Sequence, residues 1–346
     1  MKAKDFITLK DVATIDVKAD ARFFSASGTE IAQGLTSDIY FIRTRDLLAS
    51  MNLDDTVVTA EIFSSRAGIV AGIDETLYML RSRDLEIWAL SEGEMMAAKE
   101  VVMRIKGRYS DFGIYETALL GILSSSSGWA TAAAECKEAA RGRTVISYGA
   151  RHLHPAVAPV MERAAVIGGA DACSCVLGAL LLGRAPVGTV PHAAFLIAGD
   201  TVKLAQAYDR FVPEDAPRII LVDTFKDEAE ETLRVAEALG ERLNGIRLDT
   251  PGERGGVTAG LVREVRARLD QAGYNHVQIV VSGGLNLERI TLLAEAGADV
   301  FGVGSYISRS PAIDMTMDLK EVNNKAVAKR GRIPGITENS RLQKID

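Results

Sequence analysis

The chain has 346 residues, 47% apolar and 25% charged, with a net charge of -6. That is an ordinary soluble composition, long enough for two domains and a sizeable core. The acidic balance argues against non-specific nucleic-acid binding by phosphate neutralisation, and the most apolar run, Val176 to Leu182, is far too short to span a bilayer.

The three cysteines, Cys136, Cys173 and Cys175, are too few for a disulfide framework and point to a reducing compartment. The start, Met1-Lys-Ala-Lys-Asp-Phe, lacks a signal-peptide core, so a cytoplasmic location is expected.

Residues 1–140 read as an N-terminal α/β domain. Strands are expected over Val57 to Phe63, Gly68 to Gly72, Leu85 to Leu90 and Val101 to Ile105, with a helix over Asp74 to Ser82, a pattern of short strands broken by glycine turns. Tyr109 to Ser126 carries apolar residues at helical spacing. Ser124-Ser-Ser-Ser-Gly128 reads as a linker, a helix stop or a tightly packed helix end, and Trp129 to Arg141 as a further helix.

From Thr144 onward the pattern changes to strand, then helix. Strands are expected at Thr144 to Tyr148, Ala165 to Asp171 and Val187 to His192. Four more are Ile219 to Asp223, Gly245 to Asp249, Val277 to Gly284 and Asp299 to Ser305, with helices at Pro155 to Arg163, Asp227 to Leu239, Val257 to Ala272 and Leu287 to Ala296. Short apolar runs are the mark of buried parallel strands, and chemistry at their carboxyl ends is the pattern of an α/β barrel. Residues 141–346 are therefore expected to be a barrel domain ending in a polar, helical tail.

The strand tips carry the candidate chemistry. Arg247 lies where a structural strand would hold an aliphatic residue, and Asp249 shares its face by period two. Asp223 ends four aliphatic residues, where it either caps the next helix or serves as a carboxylate for ribose, magnesium or a developing cation. His192 follows the flexible Gly188-Thr189 tip, and Arg151, His152 and His154 follow the first barrel strand. Ser282-Gly283-Gly284 and Gly302-Val-Gly304-Ser305 close the last two strands, where glycine lets backbone amides approach a phosphate. Together these tips point to an enzyme acting on a phosphorylated sugar.

Several segments resemble the nicotinate phosphoribosyltransferases of the compact archaeal and bacterial kind: Thr36-Ser-Asp-Ile-Tyr-Phe-Ile-Arg43, Glu86 to Gly107, Tyr115-Glu-Thr-Ala-Leu-Leu-Gly121, Ser147-Tyr-Gly-Ala-Arg-His152, Gly168-Gly-Ala-Asp171, Val187-Gly-Thr-Val-Pro-His192, Gly245-Ile-Arg-Leu-Asp-Thr250 and the two glycine tips. The resemblance implies an N-terminal α/β sandwich and an irregular, incomplete TIM-like α/β barrel. It implies a homodimer in which the N-terminal domain of one chain covers the barrel mouth of the other, leaving a trimer of dimers open. The implied reaction joins nicotinate to 5-phosphoribosyl 1-pyrophosphate with magnesium, and many relatives couple it to ATP hydrolysis through a phosphohistidine.

By that resemblance His192, Arg247, Asp249 and Asp223 are catalytic, with Asp249 and Asp223 holding Mg2+. Tyr40 and Asp38, donated by the partner, join Tyr148, Arg151 and Asp171 around the pyridine. Ser282, Gly283, Gly284, Gly302, Gly304 and Ser305 form the 5′-phosphate cradle. The chain departs from the pattern at Pro191, Ala193 and Ala194 around the histidine, and at Thr250 to Gly256, where Arg254 is a candidate pyrophosphate contact. With no cysteine after Cys175, no zinc is expected. Quinolinate or nicotinamide as acceptor, and a non-catalytic nucleotide-binding barrel, are the competing readings.

Overall fold

The computed structural model describes residues 6–345. The strands in chain order are β1 (Val57–Ser64), β2 (Gly68–Ile69), β3 (Glu86–Ala89), β4 (Met95–Met96), β5 (Val101–Arg108), β6 (Thr144–Ser147), β7 (Ala172–Cys173), β8 (Ile219–Leu221), β9 (Gly245–Leu248), β10 (Gln278–Val281), β11 (Val300–Val303), β12 (Met315–Val322), β13 (Lys325–Ala326) and β14 (Gln343–Ile345). They belong to two compact units. One comprises the residues up to Thr131 and those from Pro311 onward, the other Ala132–Ser310.

The first unit is built on an antiparallel sheet in the order β13-β12-β1-β5-β3-β14. Its core joins Ile62, Met103 and Ile105 of the sheet to Leu80, Leu119 and Leu123 of helices Ile73–Leu80 and Glu116–Ala139. The expected strands and the first helix are present to within a few residues. The expected helical tail is not. Met315-Thr-Met-Asp-Leu alternates, burying Met315 and Met317, and this period-two pattern makes it the strand that pairs with β1. The second unit therefore ends at Ser310 and not at the chain's end, because the last segment completes the first sheet, and the first break falls after Thr131.

The serine tract does not interrupt the helix Glu116–Ala139. Ser126 and Ser127 are buried, the Ala71 amide donates to Ser127 Oγ at 3.1 Å, and a Cβ on Gly128 would stand 2.5 Å from the Pro311 carbonyl oxygen. Small residues are needed there because two backbone segments press against the helix.

Burial, with Asp318 nearby, lifts the Glu116 carboxyl from its ordinary 4.5 to about 7, against the pull of Lys329. A carboxyl raised on folding contributes stability that is complete below its unfolded value and is lost as pH climbs through the folded one. Urea unfolding midpoints should therefore fall between pH 4.5 and about 7, and Glu116→Gln should flatten that slope. An unchanged slope in the variant would assign it to other groups.

The second unit is a parallel sheet in the order β7-β6-β11-β10-β9-β8, an incomplete, TIM-like barrel whose strands alternate with helices. Its inner face has a small apolar floor of Ile146, Val280 and Val300, flanked by Tyr148, Ala172, Val187 and Ile219. Two expected strands are absent. Ala165 to Ile167 continue the helix Ala158–Ile167, whose buried Ala158, Met161, Ala164 and Ala165 follow helical spacing. The left-handed Gly169 turn (φ +110°) then leads to the shorter β7. Val187 to Pro191 is loop, leading into the helix His192–Ala198.

Candidate active site

Period two places Tyr148, Asp223, Arg247, Asp249 and Ser282 on the same face as the apolar floor, with Arg247 level with Val280 and Tyr148, Asp249 and Ser282 each two residues beyond Ile146, Arg247 and Val280 toward the strand carboxyl ends. Arg247 is the hub. Its Nε donates to Ser282 Oγ at 2.8 Å, one terminal nitrogen to Thr189 Oγ1 at 2.9 Å and the other to Asp249 Oδ2 at 3.0 Å. Ser282 Oγ in turn donates to Asp249 Oδ1 at 2.8 Å. The Tyr148 ring lies 5.5 Å from the guanidinium carbon, within cation–π range. Burial raises the Tyr148 phenol above its usual range, opposed by Arg247.

A guanidinium has five N–H donors, and these contacts use three, so two remain for a ligand. A strand-borne arginine is tolerable here because Asp249, Ser282 and Thr189 meet it with acceptors.

The Asp223 side chain is fully buried, and its Oδ2 pairs with His192 Nε2 at 3.2 Å. Burial raises its carboxyl above the ordinary range, against the hydrogen bond and charge of His192. Its other oxygen, Oδ1, is buried without a hydrogen-bond partner among the described residues. The alternative of Asp223 as a helix cap is removed, since Asp227 caps the helix Glu228–Leu239 by accepting from Ala229 and Glu230 amides.

The glycine tips differ from one another. Gly283 and Gly284 are left-handed, at φ +87° and +59°, and a Cβ on Gly283 would stand 3.0 Å from Asp249 Oδ1. They precede the helix Leu287–Ala296, which Asn286 caps, so their amides and that helix start lie beside the carboxylate network. Gly304 and Ser305 follow β11, and a Cβ on Gly304 would meet His152 Nε2 and the Tyr148 carbonyl, each at 3.0 Å. Gly302 lies within β11, where a Cβ would be 2.4 Å from the Tyr148 ring. Its absence of a side chain makes room for that ring. The Ser282 hydroxyl is engaged by Arg247 and Asp249.

Asp171 is a clear correction. It accepts from the Val145 amide at 2.8 Å and from Lys137 Nζ at 2.7 Å. Val145 is the second residue of β6, so Asp171 sits near the amino ends of the strands, opposite the tips. Gly168-Gly-Ala-Asp171 is a turn into β7 that the sequence pattern could not orient. Arg254 reaches back to Glu228 Oε2 at 3.2 Å, while the other oxygen of Glu228 accepts from buried Thr250, so Arg254 anchors its loop.

Arg151 is exposed in the short turn Ala150–His152 after β6. Asp38 and Tyr40 belong to the first unit. Asp38 precedes the helix Ile39–Ser50 and exchanges hydrogen bonds with Thr117, and Tyr40 is exposed beside Phe41. Sequence reasoning missed Thr189 as an acceptor for Arg247 and Glu162 as a buried carboxylate. For Glu162 the only signal was a charge inside an apolar helical face.

The chain matches the family model described as quinolinate phosphoribosyl transferase, N-terminal domain, over residues 38–127, and that for the C-terminal domain over residues 129–318. It belongs to the quinolinate phosphoribosyl transferase family. Within this family it is 32% identical over 254 residues to nicotinate phosphoribosyltransferase pncB1 of Mycobacterium tuberculosis, covering 71% of this chain and 55% of that protein. It is 31% identical over 228 residues to nicotinate phosphoribosyltransferase of Bacillus subtilis, covering 64% and 45%. The chain thus spans about half the length of these relatives.

Among solved structures, a nicotinate-nucleotide pyrophosphorylase from Pyrococcus furiosus is 43% identical with a TM-score of 0.86, covering 94% of this chain and 86% of that one. Human nicotinic acid phosphoribosyltransferase is similar in fold, with a TM-score of 0.70 and 20% identity over 87% of this chain and 77% of that one. The type II phosphoribosyltransferase fold expected from the sequence is therefore the fold of this chain. Among the described residues no helix is long and apolar enough to cross a membrane, and no group of three or more His, Cys, Asp or Glu is placed to hold a metal ion.

Proposed function

We propose that this chain is a nicotinate phosphoribosyltransferase of NAD biosynthesis. The nicotinate ring nitrogen attacks C1 of 5-phosphoribosyl 1-pyrophosphate. The C1–O bond breaks with its electron pair going to pyrophosphate, and the new C–N bond gives nicotinate mononucleotide. The observation that carries this reading is the Arg247–Ser282–Asp249 network beside Tyr148 at the strand ends.

In this reading bond breaking leaves positive charge on the ribose, which Asp249 and Asp223 face as carboxylates, while the two uncommitted N–H groups of Arg247 meet phosphate oxygens. The amides of Gly283, Gly284, Gly304 and Ser305 cradle the 5′-phosphate. Tyr148 packs on the pyridine, and exposed Arg151 pairs with its carboxylate.

Magnesium fits a site of this kind, because it is commonly held by one or two carboxylates together with substrate phosphates. Asp223, with its unpartnered buried oxygen, would hold it, with Asp249 adjacent. When bound, magnesium neutralises the charge on the departing pyrophosphate. Asp223 also orients His192, leaving its Nδ1 as the nitrogen to accept a phosphoryl group if ATP is a co-substrate. Asp38 and Tyr40 complete the pyridine site of a second copy in a homodimer.

Quinolinate is the second reading, supported by the match to both domains of the quinolinate phosphoribosyl transferase family. Against it, the Arg247 charge is balanced by Asp249, whereas quinolinate brings two carboxylates. Steady-state transfer from phosphoribosyl pyrophosphate to nicotinate, quinolinate and nicotinamide, with and without ATP, tests the proposal. Highest kcat/KM with nicotinate is expected. Preference for another acid or the amide reassigns the acceptor, and binding without product makes the chain a non-catalytic nucleotide-binding protein.

A further inference from the structure

Glu162 lies on the helix Ala158–Ile167 with no exposed surface, among Met161, Ala164 and Ala165. A buried carboxylate is costly unless donors surround it. Here one oxygen accepts from the Ala150 amide at 3.2 Å and the Ser147 hydroxyl at 3.4 Å. The other accepts from the amides of Ser174 at 2.8 Å and Cys175 at 2.5 Å, and the Ser174 hydroxyl lies 3.3 Å from both. One oxygen thus holds the segment leaving β6 and the other the segment leaving β7, which are adjacent parallel strands. The helix comes close enough that a Cβ on Gly149 would stand 2.5 Å from the Met161 methyl.

The segment held in this way carries Tyr148 on one side of Ala150 and Arg151 on the other. We propose that Glu162 is a positioning residue that fixes the Tyr148–Arg151 segment and thereby sets affinity for the pyridine acceptor. Arg247, Asp249, Gly283 and Gly284 lie on other strands and share no hydrogen bond with Glu162, and Gly304 meets the held segment only through packing on the Tyr148 carbonyl and His152, so binding of the phosphoribosyl donor depends on Glu162 far less than binding of the acceptor does. The inference rests on the acceptor assignment given under the proposed function.

Glu162→Gln preserves shape but turns an NH2 donor toward amides that need an acceptor, and hydrogen bonds to charged groups are the stronger ones. In the variant, KM for the acceptor should rise about tenfold or more, with KM for phosphoribosyl pyrophosphate within about twofold. Hydrogen exchange should quicken in peptides covering 148–152 and 173–176 and stay unchanged over 245–250. Both KM values rising together, kcat alone falling, or an unchanged acceptor KM would overturn the proposal. So would unchanged exchange at 148–152, a readout that needs no turnover. Failure of the acceptor assignment appears separately, as preference of the wild-type protein for another acceptor or as absence of transfer by it. Glu162→Asp, one methylene shorter, should release one segment and give a smaller shift in the same ratio.

Discussion

Replacing Arg247 with alanine is expected to lower kcat/KM by about 10²–10³, the loss typical of removing one preorganised donor from a developing charge, while the chain stays folded. The guanidinium joins three chain segments through Ser282, Thr189 and Asp249 and has two N–H groups to spare. Its removal leaves Asp249 without a balancing charge and held, among the described residues, by Ser282 alone. Lysine should restore little, because a point charge on a flexible stem cannot reach three acceptors and a phosphate together. The control is Asp171→Ala, at the other end of the strands, which should keep near wild-type kinetics. Wild-type turnover in Arg247→Ala, with folding confirmed by circular dichroism, would remove the arginine from the site.

Gly302→Ala is expected to damage stability and binding together. The added methyl would lie 2.4 Å from one Tyr148 ring carbon, 2.5 Å from another and 3.2 Å from the Ser282 Cβ. Two of these contacts are closer than real Cβ atoms tolerate. Overpacking of this kind costs about 1–3 kcal/mol, which lowers the urea midpoint. Moving the ring also removes it from Arg247, so KM for the acceptor should rise. A variant with an unchanged midpoint and unchanged KM would show that the ring has room to withdraw and that Gly302 is not needed for its placement.

The sequence alone determined the strand–helix alternation of the second unit, because buried parallel strands are short apolar runs and Ile219 to Leu221, Ile246, Leu248 and Ile279 to Val281 could be nothing polar. It also determined that Arg247 and Asp249 share one face, since period two puts them there whatever surrounds them. It placed the glycines at the last two tips, but not which glycine faces a ligand and which makes room for a ring, because that depends on a neighbour 154 positions away, Tyr148 against Gly302. Asp171 and Asp223 look alike as acids near strand ends. Only parallel register shows one level with the start of β6 and the other beyond the end of β8, facing His192. The alternation in Met315 to Leu319 was legible, yet its partner strand β1 lies more than 250 residues earlier. Long-range pairing, not local pattern, decided where the chain's last segment belongs, since a half-buried strand is stable only against the sheet that covers it.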